Sequence, residues 1–156
     1  MNISCPTLLL DEQKCKTNIE RMLDRSKLLD VKLFPHFKTH QSIEIGEWFS
    51  ALGIQAITVS SLKMAEYFAN NGWRDITVAF PVNVLEIERI NRIIDLGVDL
   101  TLLIVAPDVV SKLDDQIVGR AKILIEMDAG YNRTGVPVEE IDMIKAIVSN
   151  INSAEN

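Results

Sequence analysis

Apolar positions along this chain switch between two periods, and the switching predicts an α/β protein. Residues 7–10 form a short apolar run that ends in an acidic turn at Asp11-Glu12. Over residues 11–29, Ile19, Met22, Leu23, Leu28 and Leu29 recur near helical spacing. Residues 31–37 read as a strand, and Pro35 inside it demands an edge position or a missing ladder bond. A regular rhythm follows: helix over 42–52, strand over 54–60, helix over 62–71, strand over 75–80. It continues with a helix over 85–96, a strand over 99–105, a helix over 108–116 and a strand over 121–127. A loop over 128–137 and a helix over 139–151 end the pattern. Gly53, Gly72 and Gly97 each stand just past a helix, where a left-handed residue turns the chain.

The strands are rich in β-branched residues and nearly continuous in hydrophobicity, as in Ile76-Thr77-Val78-Ala79-Phe80 and Leu102-Leu103-Ile104-Val105. Such strands are expected to be buried on both faces, in a parallel sheet covered by helices. The rhythm contains about five strands, a full set for a flavodoxin-like sheet. It falls short of the eight strands of a TIM-type barrel.

Composition narrows the classes. The 156 residues are 47% hydrophobic and 24% charged, as in globular proteins. A net charge of −6 argues against a nucleic-acid partner, which needs a basic footprint. The apolar runs are short and interrupted by charge, so no membrane span is expected. The N-terminus has no basic region followed by an apolar stretch, so the expectation is a cytoplasmic protein. The two cysteines, Cys5 at the start of an apolar strand and Cys15 in a polar helical stretch, are expected to be reduced.

In either α/β architecture, active residues come from the carboxyl ends of the strands and the loops after them. That rule selects His36-Phe37-Lys38-Thr39-His40, Pro81-Val82-Asn83 and the loop from Asp128 to Gly135. If the first strand continues, alternation puts His36, Lys38 and His40 on one face. A lysine in a mostly buried site there would have its pKa lowered and could form a Schiff base with a carbonyl cofactor. The alternative is a rim lysine whose head reaches water. Two histidines without further clustered ligands do not make a zinc site. Arg133, in a glycine-containing loop, reads as a clamp for an anionic oxygen. It reads equally as the partner of Asp128 in an ion pair within the loop. No dinucleotide fingerprint or P-loop occurs.

Taken together, these segments resemble the alanine-racemase-like class of pyridoxal-phosphate (PLP) enzymes, fold type III. The branch is that of D-threonine aldolases and eukaryotic-type D-serine dehydratases. Cys5-Pro6-Thr7-Leu8-Leu9-Leu10-Asp11 is similar to the opening of that family. Pro35-His36-Phe37-Lys38-Thr39-His40 resembles its P-H-x-K-T-H segment, and Glu126-Met127-Asp128-Ala129-Gly130-Tyr131-Asn132-Arg133-Thr134-Gly135-Val136 is similar to its D-x-G-x-x-R-x-G loop. Thr58 to Glu66 resembles the strand-to-helix junction that follows the lysine segment, and Asp75 to Pro81 the next strand and its turn. The resemblance runs through nearly the whole chain in order. Gln41 departs from it, where the branch commonly has lysine.

The resemblance implies a lyase or racemase acting on a small-molecule D-amino acid. Lys38 would form the Schiff base with PLP and serve as base on one face, and Arg133 would donate to the cofactor's phenolic oxygen. His36 and His40 would line the pocket beside the lysine. It also implies that residues 1–156 are the N-terminal part of a PLP-binding barrel whose β-rich C-terminal domain is absent. The run 7–10 would pair with that domain, and any zinc or other divalent metal would sit there. The expectations are therefore a fragment or truncated product, a homodimer or association with a complementary segment, and little activity of the chain alone. A non-catalytic PLP-binding or carrier domain is the alternative.

Overall fold

The computed structural model describes residues 4–7 and 9–155. Its centre is a four-stranded parallel sheet in sequential order: β1 (Ala56–Val59), β2 (Asp75–Pro81), β3 (Asp99–Ile104) and β4 (Lys122–Ile125). The helices are α1 (Glu12–Leu28), α2 (Ile43–Ala51), α3 (Leu62–Ala69), α4 (Ile87–Asp95), α5 (Pro107–Gln116) and α6 (Ile141–Ser153). Each strand of the sheet is followed by a helix before the next begins, the (β/α) order of a TIM-type barrel of which this sheet is a part. A short parallel pair, β5 (Met127–Asp128) and β6 (Val136–Pro137), closes the loop after β4.

Local chemistry sets the boundaries. Asp11, Ser42 and Ser61 each accept from the backbone N–H three residues on, at 3.0, 3.2 and 3.2 Å, and so start α1, α2 and α3. Pro107 opens α5 at a position where a missing N–H costs nothing. Gly53, Gly72 and Gly97 take the left-handed conformation expected of them, with φ of 83°, 94° and 74°. The helix expected over 85–96 begins instead as a 3-10 turn, Val84–Glu86, because Asn83 caps Leu85 N–H at 3.1 Å.

One face of the sheet is fully packed. Ile57, Val59, Ile76, Val78, Leu100, Leu102 and Ile104 alternate along the strands and are buried with Ala65, Phe68, Ile90, Ile93 and Val110 of the helices. The opposite face differs from the expectation of burial on both sides. Its register aligns Thr58, Thr77, Thr101 and Lys122 in one row. Leu124 stays exposed on this face, and Lys32 pairs with Asp75 at 2.7 Å. This face is unevenly covered: Ala56 and Thr101 are buried on it, Thr58 and Thr77 are half-buried, and Lys122 and Leu124 at the β4 edge are exposed.

Two further expectations are corrected. The strand expected over 31–37 forms no ladder: a single parallel bridge joins His36 to Thr58, with Thr58 N–H donating to Pro35 O at 2.9 Å. Pro35 has no N–H to return, so the pairing stops at one bridge. Cys5 does not open a strand, since residues 5–7 and 9–10 carry no ladder and Leu9 and Leu10 are exposed; Leu8 of that run lies outside the described residues. Cys5 and Cys15 are free thiols. Among the described residues no helix is long and apolar enough to cross a membrane.

Candidate functional site

The segment holding Lys38 is shaped by the residue before it. Phe37 is completely buried and sits inside an aromatic cluster, its ring centroid 5.1 Å from Phe49, 5.0 Å from Phe68 and 5.1 Å from Trp73. Gly46 of α2 makes room for it, because a β-carbon there would lie 3.2 Å from Phe37 Cε2. With Phe37 drawn inward, the chain leaves extended geometry and makes a 3-10 turn over Phe37–Thr39. Lys38 is thereby turned outward and is exposed. The alternation that would have put His36, Lys38 and His40 on one face therefore ends at His36, and Lys38 is not in a mostly buried site. Its ammonium has no hydrogen bond or ion pair among the described residues.

The turn is held by short-range bonds. His36 accepts at Nδ1 from Lys38 N–H at 3.3 Å, and His40 accepts at Nδ1 from Ser42 N–H at 3.1 Å. Gln41 adopts a left-handed backbone, φ 50°, and its side-chain amide donates to Lys38 O at 3.3 Å. Burial holds His36 below the ordinary imidazole range, assisted by the charge of Lys38 and opposed by a hydrogen bond with the Thr58 backbone. Burial likewise lowers His40, opposed by its hydrogen bond with the Ser42 backbone. His40 Nε2 is buried without a partner among the described residues.

The second loop leaves β4 at the far edge of the sheet. Asp128 Oδ1 accepts from the backbone N–H groups of Gly130, Tyr131 and Asn132 at 2.9, 2.9 and 3.1 Å. These bonds, that of Asn132 first, hold its carboxyl below the usual carboxylate range. Of the two sequence readings of Arg133, the ion pair with Asp128 is absent: the carboxylate serves the loop backbone instead. The Arg133 guanidinium lies over the Tyr131 ring, 5.6 Å from its centroid, and is otherwise unpaired among the described residues.

The structure thus gathers His36, Lys38 and His40 at one edge of the sheet and places Arg133 at the other. Both loops are on the carboxyl end, with β1 to β4 between them. The third segment selected, Pro81-Val82-Asn83, helps line a cavity of about 260 Å³ with Ser60, Phe80 and Glu86. Glu126 opens the segment that resembles the family's arginine loop but has no expected role there, yet its Oε2 is buried without a partner among the described residues. Its place directly after β4, at the carboxyl end of a strand, is the signal that could have found it.

This sheet with its two loops matches a known family. The chain belongs to the family of the alanine racemase N-terminal domain, whose pattern it matches over residues 10–155. That family is PLP-dependent, of fold type III. The chain is 28% identical over 150 residues to D-threo-3-hydroxyaspartate dehydratase of Delftia sp. (strain HT23), covering 94% of this chain and 40% of that protein. The solved structure of that dehydratase superimposes with a TM-score of 0.80 at 27% identity, covering 92% of this chain and 39% of that one. D-serine dehydratase of Dictyostelium discoideum is 25% identical over 166 residues, covering 95% of this chain and 41% of that protein. The fold is shared with D-threonine aldolase from Filomicrobium marinum, with a TM-score of 0.82 at 22% identity over 93% of this chain and 41% of that one. The chain spans about two-fifths of the length of these relatives.

The side-chain types suit the cofactor of this family: Lys38 carries an exposed amine and Arg133 an exposed guanidinium, neither ion-paired among the described residues, both at the carboxyl end of the sheet where ligands of such folds bind.

Proposed function

We propose that this chain is the N-terminal, lysine-bearing part of a PLP-dependent enzyme acting on a small D-amino acid by dehydration or aldol cleavage. The observation that carries the reading is the placement of Lys38: its amine is exposed and unpaired, while the preceding Phe37 is completely buried. A covalent anchor needs both properties, a free amine and a backbone that does not drift. Similarity to D-threo-3-hydroxyaspartate dehydratase and D-serine dehydratase supports the substrate class.

When bound, PLP supplies an electron sink for bonds at the amino acid's α-carbon. Lys38 would hold it through Nζ, and the same atom would take up or return a proton once free. Arg133, permanently charged, would donate to an anionic oxygen of the cofactor without ever taking up its proton. His36 and His40 would line the lysine side of the pocket. Asp128 orders the Arg133 loop by occupying three of its amides, which spares the guanidinium from an internal carboxylate.

The test is reduction with borohydride after addition of PLP, followed by peptide mapping. Selective labelling of Lys38, with loss of the visible imine absorbance in Lys38→Ala, is the expected result. Equal labelling of other lysines in wild type and variant would sink the proposal. Turnover of D-serine, D-threonine and D-threo-3-hydroxyaspartate separates an active enzyme from a domain that only binds the cofactor.

A further inference from the structure

The turn that carries Lys38 has an imidazole at each end, and both imidazoles do the same thing. His36 Nδ1 accepts from the N–H of Lys38, two residues on, and His40 Nδ1 accepts from the N–H of Ser42, also two residues on. This is the local bond that asparagine and aspartate side chains make at turns. The other backbone bonds of the turn run elsewhere: the N–H groups of His40 and Gln41 both donate to Phe37 O, at 3.4 and 2.9 Å. The imidazoles therefore accept from two further donors, one inside the turn and one just before α2. A ring nitrogen accepts a hydrogen bond only while it carries no proton, so both bonds require neutral rings protonated at Nε2.

We propose that His36 and His40 are positioning residues for Lys38, two neutral imidazoles whose Nδ1 atoms fix the ends of its turn and so the direction of its amine. This rests on the reading of Lys38 as the cofactor lysine. The surroundings of both rings suit the neutral form. His36 is partly buried beside Thr58 of β1 and faces the positive charge of Lys38, which opposes an imidazolium. His40 packs against Phe37 at 4.5 Å and is stacked with Phe49 of α2 at 6.0 Å and 18°. The carboxylate of α2 closest in sequence, Glu44, is engaged by the Ser42 hydroxyl at 2.6 Å. No charged group other than Lys38 contributes to the shift of either ring. Protonation turns each acceptor into a donor and releases the bond it made.

The test uses the ¹⁵N-labelled chain and the variants His36→Asn, His40→Asn, His36→Ala and His40→Ala. Asparagine keeps an acceptor two residues from the same amide and does not titrate. The amide resonances of Lys38 and Ser42 are followed from about pH 7.5 to about pH 5, the range of imidazole titration. Borohydride trapping of PLP on Lys38 is timed in parallel at the upper pH. In wild type each amide is expected to move with the titration of its own histidine, and in the asparagine variants that movement disappears. Trapping is expected to slow by about fivefold to tenfold in the alanine variants, the scale of one lost hydrogen bond, with asparagine restoring most of the rate. Amide shifts that ignore the ring titration, or that still titrate in the matching asparagine variant, overturn the proposal. So does trapping at the wild-type rate in the alanine variants. Should alanine unfold the chain, the asparagine variants decide by the amide titration. Failure of wild type to trap PLP at Lys38 at all would remove the cofactor reading and leave the bracing to be judged by the amides.

Discussion

A β-carbon placed on Gly135 would lie 2.6 Å from the backbone nitrogen of Asp128. The two residues close the Arg133 loop upon itself: Asp128 gathers the amides at its start, and Gly135, at φ 103°, brings its end back against β5. Only a residue without a side chain fits there. Gly135→Ala is therefore expected to destabilise the chain by at least about 2 kcal/mol, since both the positive φ and the backbone clash must be relieved. Urea unfolding of the variant beside wild type measures this, and an unchanged midpoint would contradict the close approach.

Phe37 couples the core to the lysine turn. Phe37→Ala removes a fully buried ring from contact with Phe49, Phe68 and Trp73 and is expected to cost about 3–5 kcal/mol. At temperatures where the variant stays folded, PLP labelling should spread from Lys38 to other lysines, because the turn loses its inward anchor. Stability loss without any loss of labelling selectivity would show that the turn is held by other means.

The histidines give stability a definite pH dependence. Both are depressed in the folded chain, so the unfolded chain takes up their protons first as the pH falls below about 6.5, the ordinary imidazole value. Their contribution is thus fully present above that value and is lost as the pH falls through the folded values. Unfolding midpoints between about pH 7.5 and about pH 5 should decline in wild type and decline less in the double variant His36→Asn with His40→Asn. A parallel decline in both would remove the histidines as its cause.

Arg133 is expected to separate binding from folding. It is exposed and, beyond its place over the Tyr131 ring, makes no hydrogen bond or ion pair among the described residues, so Arg133→Ala should change stability by no more than about 0.5 kcal/mol. Affinity for PLP, read by absorbance titration, should fall by about tenfold or more, as for loss of a charged hydrogen bond. Equal affinity would take Arg133 out of the cofactor site.

Much of this molecule is written locally. The order of helices and strands follows from the period of apolar residues, and the helix ends follow from Ser42, Ser61, Pro107 and the glycines after α2, α3 and α4, because these signals act within a turn of chain. The two loops that bear Lys38 and Arg133 were legible in the same way, as short runs at strand ends that resemble a family's motifs. Other features depended on contacts between residues far apart in sequence. Pro35 announced a defective strand, but only pairing with Thr58 showed that a single bridge survives. Alternation put Lys38 beside His36 and His40 on one face. The capture of Phe37 by Phe49, Phe68 and Trp73, across the gap left by Gly46, turned it outward instead. The ion pair open to Arg133 by proximity was lost to the backbone amides that Asp128 collects. Periodicity reports which residues want burial. Which way a turn faces, and which donor a carboxylate takes, is decided by the packing that forms around them.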